Sequence, residues 1–249
     1  MPYNSEYRPP LASSRALAGQ NRLCWSMERA TDARRLADGI ASRLAGLSSR
    51  TTPAARSVRR EYSRLLAKAR PDLVVRVALL LARRTGFACR FVAYEIVQHH
   101  SAAFAGLTLD QLLKLGQGID DWAAVDCFAC YLSGPAWRDG RLSDAVIRGW
   151  AQSEDRWWRR AALVSTVALS RRGEAEDVRR VIEVCALTVS DREDMVVKAL
   201  SWALRELAKK HAKEARRFLA QHEGGLASRV TREVQNKIAT GLKNPRRVG

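Results

Sequence analysis

Three short stretches of the sequence bring carboxylate, aromatic and cationic side chains together at spacings that could serve chemistry. In Asp120-Asp121-Trp122-Ala123-Ala124-Val125-Asp126, Trp122 and Asp126 stand at i and i+4, on one face of a helix. Trp157-Trp158-Arg159-Arg160 sets aromatic rings beside guanidinium groups at the start of a long apolar segment. Trp202 lies in an amphipathic segment with Lys198 and Arg205 around it. A carboxylate can move a proton or stabilise a developing positive charge, and aromatic faces attract cations. Each stretch also has a structural reading. A Trp on an amphipathic helix is usually core, and Asp126 could pair with a base or cap a turn. The cysteines offer less. Cys127 and Cys130 have a metal-like spacing, but no second such pair follows, and His99, His100, His211 and His222 keep no zinc-ligand spacing to them. The pair reads as two small buried residues, so no metal or cofactor is expected. An odd count of five cysteines, with Cys24, Cys89 and Cys185 scattered, is no disulfide framework.

The elements that must carry these residues read as helix after helix. Residues 1–27, with Pro2, Pro9 and Pro10, read as a loose tail, and 28–249 as one domain. Thr31 and Asp32 can open a helix to about Leu47, with Leu36, Ile40, Leu44 and Leu47 on one stripe. Thr52-Pro53 opens a segment to about Arg70, and Pro71 starts another that Gly86 closes. Later starts are marked by Thr108, Asp120/Asp121, Ser143, Ser153, Gly173, Ser190 and Ser228. No window alternates with period two. Asp155 to Ala162 aligns with Asp194 to Ser201 at a shift of 39 residues, each with an acid followed four positions later by a base. That period and pattern suit HEAT-type repeats, with a weaker copy at Arg90 to Glu95. The expected fold is all-α: a HEAT-like helical-repeat solenoid, an α-α superhelix whose concave basic face can follow an extended partner.

Charge narrows the partner. The chain of 249 residues carries 43 Lys+Arg against 26 Asp+Glu, a formal +17. Such an excess suits a polyanion, either nucleic acid or an anionic membrane surface. Arg outnumbers Lys, which favours phosphate contacts but would also follow from a GC-rich genome. The excess is uneven: residues 1–100 hold 18 bases and 7 acids, 101–200 hold 13 and 15, and 201–249 hold 12 and 4. Arg76 breaks the best apolar stretch, Leu73 to Ala82, so no transmembrane helix is expected. The N-terminus shows no secretion signal, and a cytoplasmic protein, nucleoid-associated when bound to DNA, is the simple expectation.

On three blocks the sequence resembles the AlkD-like DNA alkylation-repair glycosylases, built from HEAT-like repeats. The blocks are Asp121 to Asp126, Trp157 to Thr166 and Val196 to Glu206, with a weaker one at Ser228 to Glu233. The resemblance covers roughly residues 30–245. It implies hydrolysis of the N-glycosidic bond of purines alkylated at N3 or N7, in double-stranded DNA, with no cofactor, by a monomer. Carried over by position, Asp126 is the catalytic carboxylate, Trp122 and Trp202 the cleft aromatics, and Arg160 the cleft arginine that holds a backbone phosphate. Arg159, Lys198, Arg205, Arg229 and Arg232, on the matching blocks, are the DNA-binding cations. The resemblance also implies that the lesion stays stacked rather than flipped. With no lysine beside Asp126, a monofunctional enzyme is expected. Two alternatives stand beside this: a catalytically silent HEAT-repeat protein for branched or distorted DNA, and a scaffold for an acidic protein. A carboxylate at Asp126 favours the enzyme, because a pure binder has no use for one facing phosphates.

Overall fold

Residues 31–245 are described by a computed structural model, and the tail expected over 1–27 lies outside them. Among the described residues there are helices and no strands. A first helix, α1, spans 31–45. It is followed by α2 (Thr52–Leu65), α3 (Pro71–Ala82), α4 (Phe87–Gln98), α5 (Ser101–Ala105), α6 (Leu109–Gly116) and α7 (Trp122–Phe128). A π-helical turn, Ala129–Ser133, then leads into α8 (Gly134–Arg138). The remainder is α9 (Asp144–Ala151), α10 (Arg156–Arg172), α11 (Ala175–Ala186), α12 (Asp194–Ala208), α13 (Ala212–Gln221) and α14 (Ser228–Thr240).

The helices form two rows. In one, α2 packs on α4, α4 on α7, α7 on α10, α10 on α12 and α12 on α14. The other row lies behind it: α3 backs α4, α9 and α11 back α10, and α13 backs α12 and α14. This stacking of pairs is the helical-repeat solenoid that the 39-residue period predicts. The expected α1 stripe is real, with Ile40 and Leu44 buried and Leu36 and Leu47 packed against the core. Buried apolar residues run as one cluster from Ala33 to Val234. Helix α10 is the spine. Every residue from Arg160 to Ser170 is buried, as expected of a helix that is apolar all round and touched on every side.

Several ends differ from the sequence expectation. Thr51 rather than Thr52 precedes α2, which stops at Leu65, well short of Arg70. Helices α10, α11 and α12 start after Asp155, Glu174 and Glu193 rather than at Ser153, Gly173 and Ser190. Gly173 instead ends α10, at φ 76°, with its N–H on the Leu169 carbonyl. The repeated acid–base pattern also works differently in its two copies. Lys198 pairs with Asp194 at 2.6 Å within α12. Asp155, by contrast, caps α10 through the Trp157 N–H, and Arg159 reaches forward to Asp191 at 2.7 Å. Arg229 likewise reaches back from α14 to Asp194 at 2.7 Å. Part of the repeat is therefore a device for joining one helix pair to the next.

Candidate active site

Helix α7 begins at Trp122 because the Asp121 carboxylate accepts the Ala124 N–H at 2.9 Å, as the sequence predicts. Its first residue, Trp122, is 55% exposed. One turn on, Asp126 lies on the same face. Past Phe128 the helix widens into the π turn, closed by the Gly134 N–H on the Ala129 carbonyl. A Cβ at Gly134 would stand 2.8 Å from the carbonyl oxygens of both Ala129 and Ser165. Only glycine permits that approach, and the Ser133 and Ser165 hydroxyls bond beside it at 2.7 Å. The wide turn thus seats the segment bearing Asp126 directly on α10.

From α10, Arg160 meets Asp126 as a two-pronged fork. Its Nε donates to Oδ1 at 2.9 Å and its Nη2 to Oδ2 at 2.8 Å. Nη1 donates to the Met195 carbonyl, at the start of α12, at 2.6 Å. Side-chain exposure is 6% for Arg160 and 17% for Asp126. The fork of Arg160 is turned onto a carboxylate and a carbonyl within the protein, so it holds Asp126 in place and ties α7, α10 and α12 together. Burial raises the Asp126 carboxyl above the ordinary aspartate range, Arg160 opposes this in part, and the charge of Asp121 adds to it. Each oxygen keeps a lone pair that Arg160 does not use.

The other expected residues separate. Trp202 stands seven residues after Met195, two turns along the same face of α12, half-buried. Of the two neighbouring tryptophans, Trp158 turns inward, 4.7 Å from Trp150 and 6.0 Å from Phe128 between ring centres. Gly116 makes its room, since a Cβ there would lie 2.6 Å from the Trp158 ring. Trp157 carries the Arg156 guanidinium 4.8 Å over its ring. Among the DNA-binding candidates, Arg232 is exposed and makes no ion pair among the described residues. Lys198 and Arg229 are half-buried and share Asp194. Arg159 is turned inward onto Asp191 and the Ser153 and Glu154 carbonyls. Arg205 bonds the Ser201 hydroxyl at 3.2 Å. Those two guanidinium groups are thus tied within the protein.

A cluster the sequence reading missed adjoins the site. Arg56 donates to Glu95 at 2.8 Å and to the Tyr131 hydroxyl at 3.1 Å, while Arg59 holds the other Glu95 oxygen at 3.1 Å. The signal was available: Glu95 is the lone acid in the apolar run of α4, and such a residue needs cationic partners. Cys127 and Cys130 are free thiols, and burial pushes them up to about 12 and about 11 respectively. No group of three or more metal-ligating side chains occurs among the described residues. No described helix is long and apolar enough to cross a membrane.

No match is found among curated proteins or solved structures. A family model described as DNA alkylation repair enzyme, however, matches residues 46–238. That span holds the Asp126–Arg160 pair and both flanking tryptophans, and the chain belongs to this DNA alkylation repair enzyme family.

Proposed function

We propose that the chain is a monofunctional DNA glycosylase that releases cationic N3- and N7-alkylated purines from duplex DNA. The observation that carries this reading is a half-buried carboxylate, Asp126, held by a fork on Arg160 one turn from the exposed Trp122. An alkylated purine already bears positive charge. When its C1′–N bond breaks, the electron pair leaves with a neutral base, and no general acid is needed. The sugar is left as an oxocarbenium ion, which a nearby carboxylate stabilises. Asp126 does this with the lone pairs that Arg160 leaves open, and it orients the water that adds to C1′. That water's proton passes to the carboxylate or to solvent, and an abasic site and a free base remain.

Arg160 is a positioning residue in this scheme. It keeps the carboxylate ionised and fixed, so that little reorganisation is needed as charge develops. Trp122 and Trp202 offer ring faces to the cationic base and sugar, at about 0.5–2 kcal/mol per contact. The enzyme acts as a monomer on a lesion that stays stacked, in the cytoplasm, with selectivity coming from the lesion's own charge. The deciding experiment is release of 7-methylguanine or 3-methyladenine from methylated duplex. Free base is expected; confirmed DNA binding without base release would leave a catalytically silent DNA-binding protein as the reading.

A further inference from the structure

With Arg160 turned onto Asp126, other cations near the carboxylate are candidates to meet the backbone beside the lesion. A recess of about 290 Å³ lies along the same seam as the carboxylate, lined by Gln98, Cys130, Tyr131, Arg138, Val167 and Arg171. Cys130, in its wall, is four residues past Asp126 across the wide π turn, and Val167 and Arg171, also in its wall, lie on α10 as Arg160 does. The recess and the carboxylate therefore lie along one seam, between the α7–π segment and α10. Arg171, in the last turn of α10, is exposed, and its guanidinium forms no hydrogen bond or ion pair among the described residues. Every other cation between residues 101 and 200 has such a partner.

A second cation approaches across Tyr131. Arg56 is fixed by Glu95 at 2.8 Å and by the Tyr131 hydroxyl at 3.1 Å, and its guanidinium lies 5.4 Å over the Phe91 ring. Nη1 is left without a partner, and the side chain is 40% exposed. The buried Glu95 already has Arg59 as well, so Arg56 is aimed without being used up. An immobilised fork and a free one on either side of a hydroxyl make a suitable receptor for a tetrahedral dianionic or diester phosphate.

We propose that this recess is a backbone-phosphate subsite of the DNA strand that carries the lesion, clamped by Arg56 and Arg171, with Gln98 and the Tyr131 hydroxyl as neutral donors. It rests on the glycosylase reading only in taking DNA as the occupant. The test is the salt dependence of duplex binding by the full chain, followed by fluorescence anisotropy on a duplex containing a stable abasic analogue. Arg56→Gln and Arg171→Gln should each weaken binding several-fold and lower the slope of log affinity against log salt by about 0.9, the value for one lost phosphate contact. Arg56→Lys should keep most of the slope, and Arg148→Gln, on the row behind, should leave it unchanged. A variant that merely misfolded would lose helical circular dichroism and active fraction rather than one step of slope. If both Gln variants keep the slope of Arg148→Gln while the wild type binds and releases base, the subsite is wrong and the glycosylase reading stands. If the steps appear but no base is released, the subsite stands and the glycosylase reading falls.

Discussion

The arginines in the middle of the chain and those at its two ends differ in what they touch. Between residues 101 and 200, Arg159 is held by Asp191, Arg160 by Asp126, Arg172 by Asp177 and Arg180 by Asp144, all at 2.6–2.8 Å and most of them between different helices. Towards the ends, Arg60, Arg64, Lys68 and Arg76, then Lys213, Arg216, Arg217 and Arg232, are exposed without a partner among the described residues. Cations in the middle are mortar, Arg171 excepted, whereas the ends hold both tied arginines, such as Arg56 and Arg59 on Glu95, and many free charges. A half-buried cation that ties two helices has already exchanged its hydration for a carboxylate, and a phosphate would have to displace that carboxylate. An exposed, unpaired one releases counterions when DNA arrives and loses little. The near-neutral middle thus follows from joining the repeats around the site, and the basic excess is left where it can grip a backbone.

The sharpest way to break this comparison is at Asp126. Asp126→Asn keeps shape and one acceptor but removes the charge, so base release should fall about 10²–10³-fold or more in single turnover. Duplex affinity should stay within about twofold, because the residue contributes no phosphate contact. A parallel loss of binding would mean that Asp126 belongs to the grip after all.

Arg160→Gln is expected next in size, and it should act on two measurements at once. Breaking a buried pair costs about 3 kcal/mol, a fall in melting temperature of roughly 6–12 °C for a chain of this length. Base release should fall about tenfold to a hundredfold as Asp126 loses its orientation. The salt slope of binding should not change. A loss of one phosphate's worth of slope, with stability intact, would restore the phosphate role that the sequence implied.

A smaller contrast lies within a single set of cations that looked alike in sequence. Arg159→Gln should cost about 1–2 kcal/mol of stability, since it unties Asp191 and two carbonyls, and leave the salt slope alone. Arg232→Gln should do the reverse, with stability within about 0.5 kcal/mol and a slope lower by about 0.9. Guanidinium denaturation and salt-titrated anisotropy on the two variants decide it.

The fold was legible because periodicity and caps are local. Asp121, Thr108 and Ser143 cap the helices they were expected to cap, and the 39-residue shift marks two helices that do pack together. Trp122 and Asp126 were singled out by type and spacing, and Arg160 by the resemblance, yet partnership is not local. Nothing near Arg159 or Arg160 in sequence says that one fork turns to Asp191 and the other to Asp126, since those acids are more than thirty residues away. The π turn was hidden for a similar reason. Its cause is the close approach of α10 to Gly134, and a glycine among helix formers does not announce which helix will lean on it.

The smallest effect concerns protonation, and it tests whether the middle region tunes the carboxylate as well as holding it. Burial sets the Asp126 carboxyl above the ordinary aspartate range, Arg160 pulls it down, and Asp121 pushes it up. The ionised form faces the cation, so enzyme-dependent release, corrected for spontaneous depurination, should fall as pH drops through a midpoint above that of ordinary aspartate. It should not fall on the alkaline side from this group. Asp121→Asn keeps the cap on α7 but removes a like charge, so the acid limb should move to lower pH. Arg160→Gln removes the opposing charge and should move it higher. If the limb sits where free aspartate titrates, or if both variants shift it the same way, then Asp126 is solvated in the working complex and the pairing seen here loosens when DNA binds.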